Sequence, residues 1–269
     1  MIQGCKKMKV VILAGGYKSS ISDEKEGIPK PMVDIGGKPL LWHIMKYFSA
    51  YELNEFIICG GYRVDMIKEY FMDYYIYASD ITVDLQTNTV KVHNEKTEDW
   101  KVTVVDTGIF SSTGQRVSLI QKYIDEENFI VTYGDCLSDI NIKDMIATHN
   151  AMGKIATIAL AKPAGRNQLL PIDKEGVLSY MQSWKISNDT AWVNADCFVF
   201  NKQIFDYLMG NYDLEQQLFI KLSERKQLAS YQHTGYWMTV ETKRELATAE
   251  NLWNAGIAPW MKNKNRGLE

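Results

Sequence analysis

The sequence predicts an α/β fold with a mixed, mostly parallel central sheet, and three observations support this prediction. Short apolar runs rich in β-branched residues alternate with helical patterns over the first 75 residues. These runs are continuous, which is typical of parallel strands buried on both faces. The 269 residues contain no repeat, low-complexity tract or Pro/Gly-rich linker, so the sequence predicts a single domain over residues 1–269.

The first predicted elements follow a β-α-β-α order. Strands are predicted at 9–13 and 55–59, because each segment is an apolar, β-branched run. Helices are predicted at 40–48, where Pro39 suits a helix start, and at 64–74. This order is typical of an open sheet whose strands run parallel.

The rest of the chain continues to alternate, with one different segment in the middle. Apolar segments at 81–85, 90–93 and 102–105 predict a β-hairpin or a meander, since Thr and Asn residues punctuate them. The later strands are predicted at 129–133, 155–160 and 192–200, and the later helices at 142–149, 204–209 and 215–222.

The composition excludes several classes of protein. Apolar residues make up 46% of the chain and charged residues 23%, as in an ordinary globular protein. The net charge of −3 indicates no nucleic-acid partner. We expect no membrane association, because no apolar run approaches the roughly 18–20 residues of a membrane span. The N-terminal segment is too short and polar for a signal peptide.

The cysteines indicate a reducing compartment. They are widely separated and form neither a CxxC motif nor a zinc-ligand spacing, so we expect reduced thiols in a cytoplasmic protein. The four residues are Cys5, Cys59, Cys136 and Cys197.

The strongest functional signal is a glycine turn followed by a lysine between two prolines. The turn lies at 13–18 (LAGGYK), and Lys30 follows at 29–32 (PKPM). Small residues after a strand let backbone N–H groups approach a phosphate chain, and a stiffened lysine binds phosphate as a point charge. A Gly-Gly turn alone is more often only a turn, but Lys30 at this spacing predicts a nucleotide site.

Two carboxylates are candidates for a Mg²⁺ site. Asp135 follows Gly134 at the end of the predicted strand 129–133, and Glu241 lies at 237–242 (WMTVET). Mg²⁺ prefers a few carboxylates together with phosphate oxygens and water. The alternatives are a turn or helix-cap Asp and a surface Glu.

Other candidates carry weaker signals. Arg116 either binds a triphosphate or lies on the surface, and Lys185 either neutralises an acceptor phosphate or is solvated. The four histidines show no catalytic grouping. The aromatic-rich segment 68–77 belongs either to the core or to a subunit interface, and we expect a homo-oligomer.

Several longer segments together closely resemble the sugar-phosphate nucleotidyltransferases, and within them the glucose-1-phosphate cytidylyltransferases. The segments are LAGG (13–16), PKPMVDIGGKPLLWHIMKYFS (29–49), NEFIICGGY (54–62), VTVVDTG (102–108), VTYGDCLSD (131–139) and NLWNAGIAPW (251–260). The resemblance implies a Rossmann-like three-layer α/β/α fold and nucleotidyl transfer from a nucleoside triphosphate, CTP above all, with release of pyrophosphate. The nucleotide side is expected mainly at 8–140 and the acceptor side mainly at 141–245.

The resemblance also implies roles for individual residues. Lys30, Asp135 and Arg116 would be catalytic, and Asp135 and Glu241 would hold Mg²⁺. The family usually has Asp at the second metal position, so Glu241 keeps the charge on a longer arm. The implied nucleotide-binding residues are Leu13, Ala14, Gly15, Gly16, Tyr17, Lys18, Lys30, Ser111, Arg116 and Gly134.

The chain departs from the family pattern mainly on the acceptor side. The loop after Gly16 reads Lys18-Ser19-Ser20 where the family has Gly-Thr-Arg, and Lys18 is the only obvious local candidate to replace that Arg. The family's Glu-Lys-Pro, Asn-Gly-Gly and Arg-Phe-Gly correspond here to Ser183-Trp184-Lys185, Asn194-Ala195-Asp196 and Arg166-Asn167-Gln168. We expect Ala195 and Asp196 to add bulk and charge where a sugar would bind. The predicted acceptor-binding residues are Trp184, Lys185, Asn194 and Asp196.

Three hypotheses follow from these observations. The first is transfer of CMP from CTP to a small phosphorylated acceptor, such as a phospho-polyol or a phosphorylated amino-acid amide, for a surface polysaccharide. The second is transfer to glucose 1-phosphate. The third is a nucleotide-binding regulatory subunit without turnover. The changed acceptor residues favour the first hypothesis over the second, and the retained Lys30 and Asp135 argue against the third.

Overall fold

The computed structural model describes residues 8–16, 27–93, 97–162 and 192–261. Its strands are β1 (Val10–Ala14), β2 (Asp34–Ile35), β3 (Lys38–Pro39), β4 (Glu55–Gly60), β5 (Asp80–Asp84), β6 (Thr89–His93), β7 (Lys101–Asp106), β8 (Asn128–Tyr133), β9 (Cys136–Ser138), β10 (Ala156–Ala161), β11 (Val193–Asn201), β12 (Leu228–Gln232) and β13 (Trp237–Thr239). Its α-helices are α1 (Leu40–Ser49), α2 (Val64–Met72), α3 (Tyr74–Ala78), α4 (Thr113–Leu119), α5 (Ile142–Met152), α6 (Phe219–Glu224) and α7 (Lys243–Asn254). Short 3₁₀- or π-helical segments lie at Lys30–Met32, Gln121–Tyr123, Lys202–Tyr207, Leu214–Leu218 and Pro259–Met261.

The central sheet is mixed and mostly parallel, as predicted. Within the described residues it has seven strands in the order β12-β10-β11-β8-β1-β4-β7. The strand β1 pairs in parallel with β4 and β8, β4 pairs in parallel with β7, and β10 pairs in parallel with β12. The strand β11 runs antiparallel to both of its neighbours, β8 and β10.

Helices cover both faces of this sheet. Val10 and Ile12 of β1 pack into a core that includes residues of α1 and α5, whereas Val11 and Leu13 pack into a second core that includes residues of α4 and α6. Successive side chains of a strand point to opposite faces of a sheet, so the two cores lie on opposite sides. The arrangement is a three-layer α/β/α fold, and burial on both faces explains why β1 is apolar throughout.

The predicted hairpin is confirmed, and the alternative of a meander is wrong. The strands β5 and β6 form an antiparallel pair outside the central sheet. The strand β7 instead joins the central sheet in parallel with β4. Val102 and Val104 of β7 pack against the same core as α1, and this burial draws the strand to the edge of the sheet.

Three predicted helices differ in the structure. The segment 64–74 is divided at Asp73, whose backbone (φ −97°, ψ 0°) separates α2 from α3. The segment 204–209 is a 3₁₀ segment, Lys202–Tyr207, instead of an α-helix. The segment 215–222 begins as the π-helical turn Leu214–Leu218 and continues as α6.

Sequence analysis missed α4 and α7, although both carry a cap signal. The side chain of Ser112 accepts a hydrogen bond from the Gln115 amide at the start of α4. Thr242 and Glu245 form a capping box at the start of α7. The strands β9 and β13 were also missed, because each is three residues long and they pair with each other over about 100 positions of sequence. The strands β2, β3 and β12 were not predicted either.

In the described ranges, no helix is long and apolar enough to cross a membrane.

The cysteines of the described residues are buried free thiols, namely Cys59, Cys136 and Cys197. Burial raises the pKa of Cys59 and of Cys197 to about 12. Cys5 lies outside the described residues.

Candidate active site

A cleft of about 470 Å³ opens at the carboxyl ends of β1 and β8. This is the edge at which ligands bind in open α/β sheets. The residues lining the cleft are Leu13, Ala14, Gly15, Gly16, Lys30, Pro31, Ile109, Phe110, Ser111, Ser112, Thr113, Arg116, Tyr133, Gly134, Asp135 and Asp213. The fold therefore gathers the described members of the predicted nucleotide-binding set around one opening. Tyr17 and Lys18 lie outside the described residues.

Lys30 and Asp135 form an ion pair at the edge of the cleft. The Lys30 Nζ donates to Asp135 Oδ2 at 2.7 Å, and both side chains are mostly buried. Close packing of the neighbouring backbone creates this contact. The Gly134 amide donates to the Leu13 carbonyl at 2.9 Å, and a Cβ on Gly134 would lie 3.1 Å from the Pro31 ring. A phosphate entering the cleft would meet Lys30 at the end of β8.

Arg116 is buried, with only 4% of the residue exposed, so the alternative of a surface arginine is wrong. Its two terminal nitrogens donate to five oxygens over distances of 2.6 to 3.3 Å. The acceptors are the carbonyls of Gly15, Gly60, Gly108 and Ile109 and the hydroxyl of Thr107. Burial lowers the pKa of the guanidinium from its ordinary value. The structure therefore gives Arg116 a positioning role, and its predicted contact with a triphosphate stays a prediction.

Glycine is needed at position 15 because Arg116 occupies the adjacent space. A Cβ built on Gly15 would overlap the Arg116 guanidinium, whereas a Cβ on Gly16 meets no atom within 4 Å. The two glycines of the predicted phosphate loop thus differ physically. Gly15 admits the buried arginine, and Gly16 leaves open space beside the cleft.

The two predicted metal ligands flank a pair of neighbouring strands, with Asp135 just before β9 and Glu241 just after β13. The antiparallel pair β9–β13 places Thr239 opposite Cys136, and the Val240 amide donates to the Asp135 carbonyl at 2.8 Å. Glu241 follows directly and is exposed. Within the described residues, no group of three or more His, Cys, Asp or Glu side chains is arranged to hold a metal ion. Mg²⁺ commonly uses only one or two carboxylates with phosphate oxygens and water, and Asp135 with Glu241 fits that donor set.

Asp196 lies in an unusual backbone conformation beside the cleft. Its φ of 56° is in the left-handed region, where the pairing of β11 with β10 shifts register. The Asp196 amide donates to the Asn194 side chain at 3.0 Å, and the Asp196 carbonyl accepts from Thr132 at 2.9 Å. Glycine adopts this conformation most readily, and Asp tolerates it better than most residues. Burial, and then the charges of nearby carboxylates led by Asp135, raises the pKa of Asp196 well above its usual range.

Ala195 does not add bulk to the site, which corrects the sequence-based expectation. Its side chain is fully buried in the same core as Val193 and Cys197. Its carbonyl accepts a hydrogen bond from the Trp237 indole at 3.0 Å. The methyl group faces the core because side chains alternate along β11, so of the two departures from glycine only Asp196 is left to change the predicted acceptor site.

The structure brings two residues that sequence analysis did not identify, Tyr133 and Glu215, against the predicted acceptor residue Asn194. The Tyr133 hydroxyl donates to Glu215 Oε1 at 2.5 Å, and the Asn194 amide reaches the same oxygen at 3.5 Å. Burial raises the pKa of Glu215 and of Tyr133 above their ordinary values. Glu215 lies on the π-helical turn, a feature often found at functional sites. No local sequence pattern around Glu215 predicts this turn. The predicted acceptor residues Trp184 and Lys185 lie outside the described residues, as do positions 166–168 and 183.

Comparisons with known proteins agree with this arrangement. A family model described as nucleotidyl transferase matches residues 9–255. The glucose-1-phosphate cytidylyltransferase of Salmonella typhi is 42% identical over 255 residues, which cover 94% of this chain and 98% of that protein. A protein of Bacillus subtilis named "Probable glucose-1-phosphate cytidylyltransferase" is 36% identical over 255 residues, with 94% and 99% coverage.

Solved structures show the same fold. The crystal structure of HddC from Yersinia pseudotuberculosis superposes with a TM-score of 0.70 at 22% identity, covering 92% of this chain and all of that one. HddC has also been solved in a complex with GMP-PN. These likenesses confirm the predicted Rossmann-like α/β/α architecture.

The two loop glycines allow a matched test of packing around Arg116. We expect Gly15→Ala to lower the free energy of unfolding by about 1–3 kcal/mol, because the added methyl overlaps the guanidinium. Gly16→Ala should change it by less than about 0.5 kcal/mol, since the position is open. Urea unfolding followed by circular dichroism measures both values. Equal losses in the two variants would contradict this account of Gly15.

Proposed function

Because the chain belongs to the nucleotidyl transferase family, we propose that it transfers CMP from CTP to a phosphorylated acceptor and releases pyrophosphate. The observation that carries this proposal is the cleft at the ends of β1 and β8, which places the glycine turn, Lys30 and Asp135 together. The names of the relatives at 42% and 36% identity support CTP as the donor.

The proposed reaction is an in-line displacement at phosphorus. A phosphate oxygen of the acceptor attacks the α-phosphorus of CTP, and the bond between that phosphorus and the pyrophosphate oxygen breaks. Catalysis then depends on alignment and on neutralising charge, and it requires no protein nucleophile. Lys30 lies where it can bind the donor phosphates, while Arg116 holds the Gly15 backbone in place against them.

We propose that Asp135 and Glu241 hold Mg²⁺ during this reaction. The support is their position on adjacent strand ends and the ordinary preference of Mg²⁺ for carboxylates combined with substrate phosphates. When bound, the ion would polarise the α-phosphate and reduce repulsion between the two anionic substrates. Asp135 would exchange its contact with Lys30 for a contact with the ion.

The relatives' names make glucose 1-phosphate the first candidate acceptor. A second candidate is a small acceptor that carries an amine as well as a phosphate, and one observation favours it. Asn194 donates to Glu215 Oε1 at 3.5 Å and accepts from the Asp196 amide at 3.0 Å, so two carboxyl groups lie beside this predicted acceptor residue. An ammonium group on the acceptor would pair with these carboxyls and favour their charged form, which their raised pKa values otherwise disfavour.

We also propose that the chain forms homo-oligomers through the β5–β6 hairpin. Its cross-strand pairs place Ile81 opposite Val92 and Val83 opposite Val90 on one face. Ile81, Val83 and Val90 are 41%, 49% and 57% exposed. A two-stranded hairpin is marginally stable alone, so this apolar face gains from being covered. The face is complementary to itself, because a two-fold axis would oppose the same pairs in both copies.

The variant Asp135→Asn tests the proposed role of Asp135 as a metal ligand. We expect Asp135→Asn to lower kcat by about 100- to 1000-fold, the range for removing one group that stabilises the transition state. The fold should remain, because the amide has nearly the same shape as the carboxylate. The measurement is pyrophosphate release from CTP with Mg²⁺ and glucose 1-phosphate.

The control for this experiment is Asp65→Asn in the first turn of α2, outside the cleft lining, where the carboxylate pairs with the exposed Arg63 at 3.0 Å. It should keep normal turnover. Near-normal activity of Asp135→Asn with an unchanged Mg²⁺ dependence would remove Asp135 from the metal site. Binding of CTP by the unaltered protein, without turnover on any acceptor, would favour the regulatory subunit.

The second prediction tests the acceptor. Replacing the Asp196 carboxyl should lower kcat/KM for phosphorylated amino alcohols about tenfold or more, since a hydrogen bond to a charged group contributes about 1.5–3 kcal/mol. Both Asp196→Asn, which keeps the shape, and Asp196→Gly, which removes it, should show the loss. Neither variant should lose activity on glucose 1-phosphate, which carries no amine. If glucose 1-phosphate is the best acceptor of the unaltered protein and both variants impair its use, the amine-bearing acceptor is wrong.

The third prediction tests the oligomer. Val83→Asp should shift the protein to a smaller assembly in light scattering at micromolar concentration. Thr82→Asp adds the same charge to the opposite face of the hairpin and should leave the assembly unchanged. Equal masses for all three proteins would exclude this face as an interface.

A further inference from the structure

The segment 107–114, which leads from β7 into α4, is held in place by hydrogen bonds at its N-terminal end. The Thr107 amide and hydroxyl both donate to the Gly60 carbonyl, at 2.9 and 2.6 Å. Arg116 donates to the carbonyls of Gly108 and Ile109, the next two residues of the loop. Gly108 has a φ of +83°, a left-handed conformation that turns the chain there.

The C-terminal end of the same loop is hydrogen-bonded to the segment just before the π-helical turn. The Ser112 amide donates to the Asn211 side chain at 2.8 Å, and the Ser112 hydroxyl donates to the Tyr212 carbonyl at 2.6 Å. The Gly114 amide donates to the Tyr212 carbonyl as well, at 2.9 Å. Within the loop, the Ser111 hydroxyl donates to the Thr107 carbonyl and closes the turn.

Phe110 lies in the middle of this hydrogen-bonded loop and lines the cleft. The residue is 81% exposed, although its backbone is held on both sides. Full burial of such a side chain contributes roughly 1.5–3 kcal/mol, so a ligand that covers the exposed part of the ring would gain part of this free energy.

We propose that the Phe110 ring is the stacking platform for the base of the bound nucleotide, an inference that rests on the proposed function. The cleft has a charged end at Lys30 and Asp135 and an apolar end at Ile109 and Phe110. A nucleoside triphosphate has the same polarity, with charged phosphates at one end and a flat aromatic base at the other. Bound with its phosphates at Lys30, it directs its base toward Phe110.

The hydrogen bonds at both ends of the loop lower the cost of stacking a base on Phe110. They already order the backbone, so little further ordering is needed when a base binds. Stacking uses the π-face that every base has, so it strengthens binding without selecting among bases. Discrimination of cytosine would fall to polar groups elsewhere in the cleft.

The test compares equilibrium binding of CTP, UTP and ribose 5-triphosphate, which lacks a base, by calorimetry in the presence of Mg²⁺. Phe110→Ala should weaken binding of CTP and of UTP by similar factors of about 5- to 150-fold, the range for one base–aromatic stack. Binding of ribose 5-triphosphate should be unchanged. Phe110→Tyr keeps the ring and should bind CTP within about twofold of the unaltered protein.

The matched control is Leu119→Ala at the end of α4, which removes another exposed apolar side chain (44%) outside the cleft lining. It should leave all three affinities unchanged. Unchanged CTP binding by Phe110→Ala, or an equal loss for ribose 5-triphosphate, would overturn the stacking role while leaving the proposed function intact. If the unaltered protein binds no nucleoside triphosphate at all, the proposed function fails and this inference fails with it.

Discussion

The site depends on the buried guanidinium of Arg116. Its hydrogen bonds connect the end of β1, the end of β4 and the loop that follows β7, three strands that are adjacent in the sheet. A buried charge without partners would cost several kcal/mol, so these oxygens are what make the burial tolerable. The packing leaves no room for side chains nearby: a Cβ on Gly61 would lie 2.7 Å from the Gly15 carbonyl oxygen and 2.9 Å from Arg116 Nη1. One cation thus sets the shape of the phosphate loop and of the loop that carries Phe110.

A second constraint is the balance of charge around Lys30. The contact of Lys30 with Asp135 satisfies both groups, while Asp196 and Glu215 lie close by with raised pKa values. Under the proposed function, donor phosphates would take over Lys30 and release Asp135 to bind a cation. Nucleotide and metal would then favour each other's binding, because each neutralises a charge that the other leaves exposed.

The reversed direction of β11 explains how the acceptor side reaches the same edge. In a parallel strand, residues 193–197 at the start of β11 would lie at the opposite edge of the sheet from Asp135. Because β11 is antiparallel to β8, Cys197 pairs with Thr132 and the preceding residues extend past the carboxyl end of β8. The register shift and the left-handed backbone then direct Asp196 to the site while Ala195 enters the core.

The layered fold could be predicted from the sequence, because burial on both faces requires continuous apolar strands. The LAGG segment (13–16) overlaps the end of β1, so chain connectivity alone places this turn at the carboxyl edge of the sheet. Three-dimensional packing was needed to find the hydrogen bonds of Arg116, the core position of Ala195, the contact of Glu215 with Tyr133 and the place of Phe110 in the cleft lining. Each of these depends on contacts between positions some 50 to 100 residues apart, such as Arg116 with Gly15 or Tyr133 with Glu215. Local pattern carries no information about such contacts, because packing of distant segments sets them.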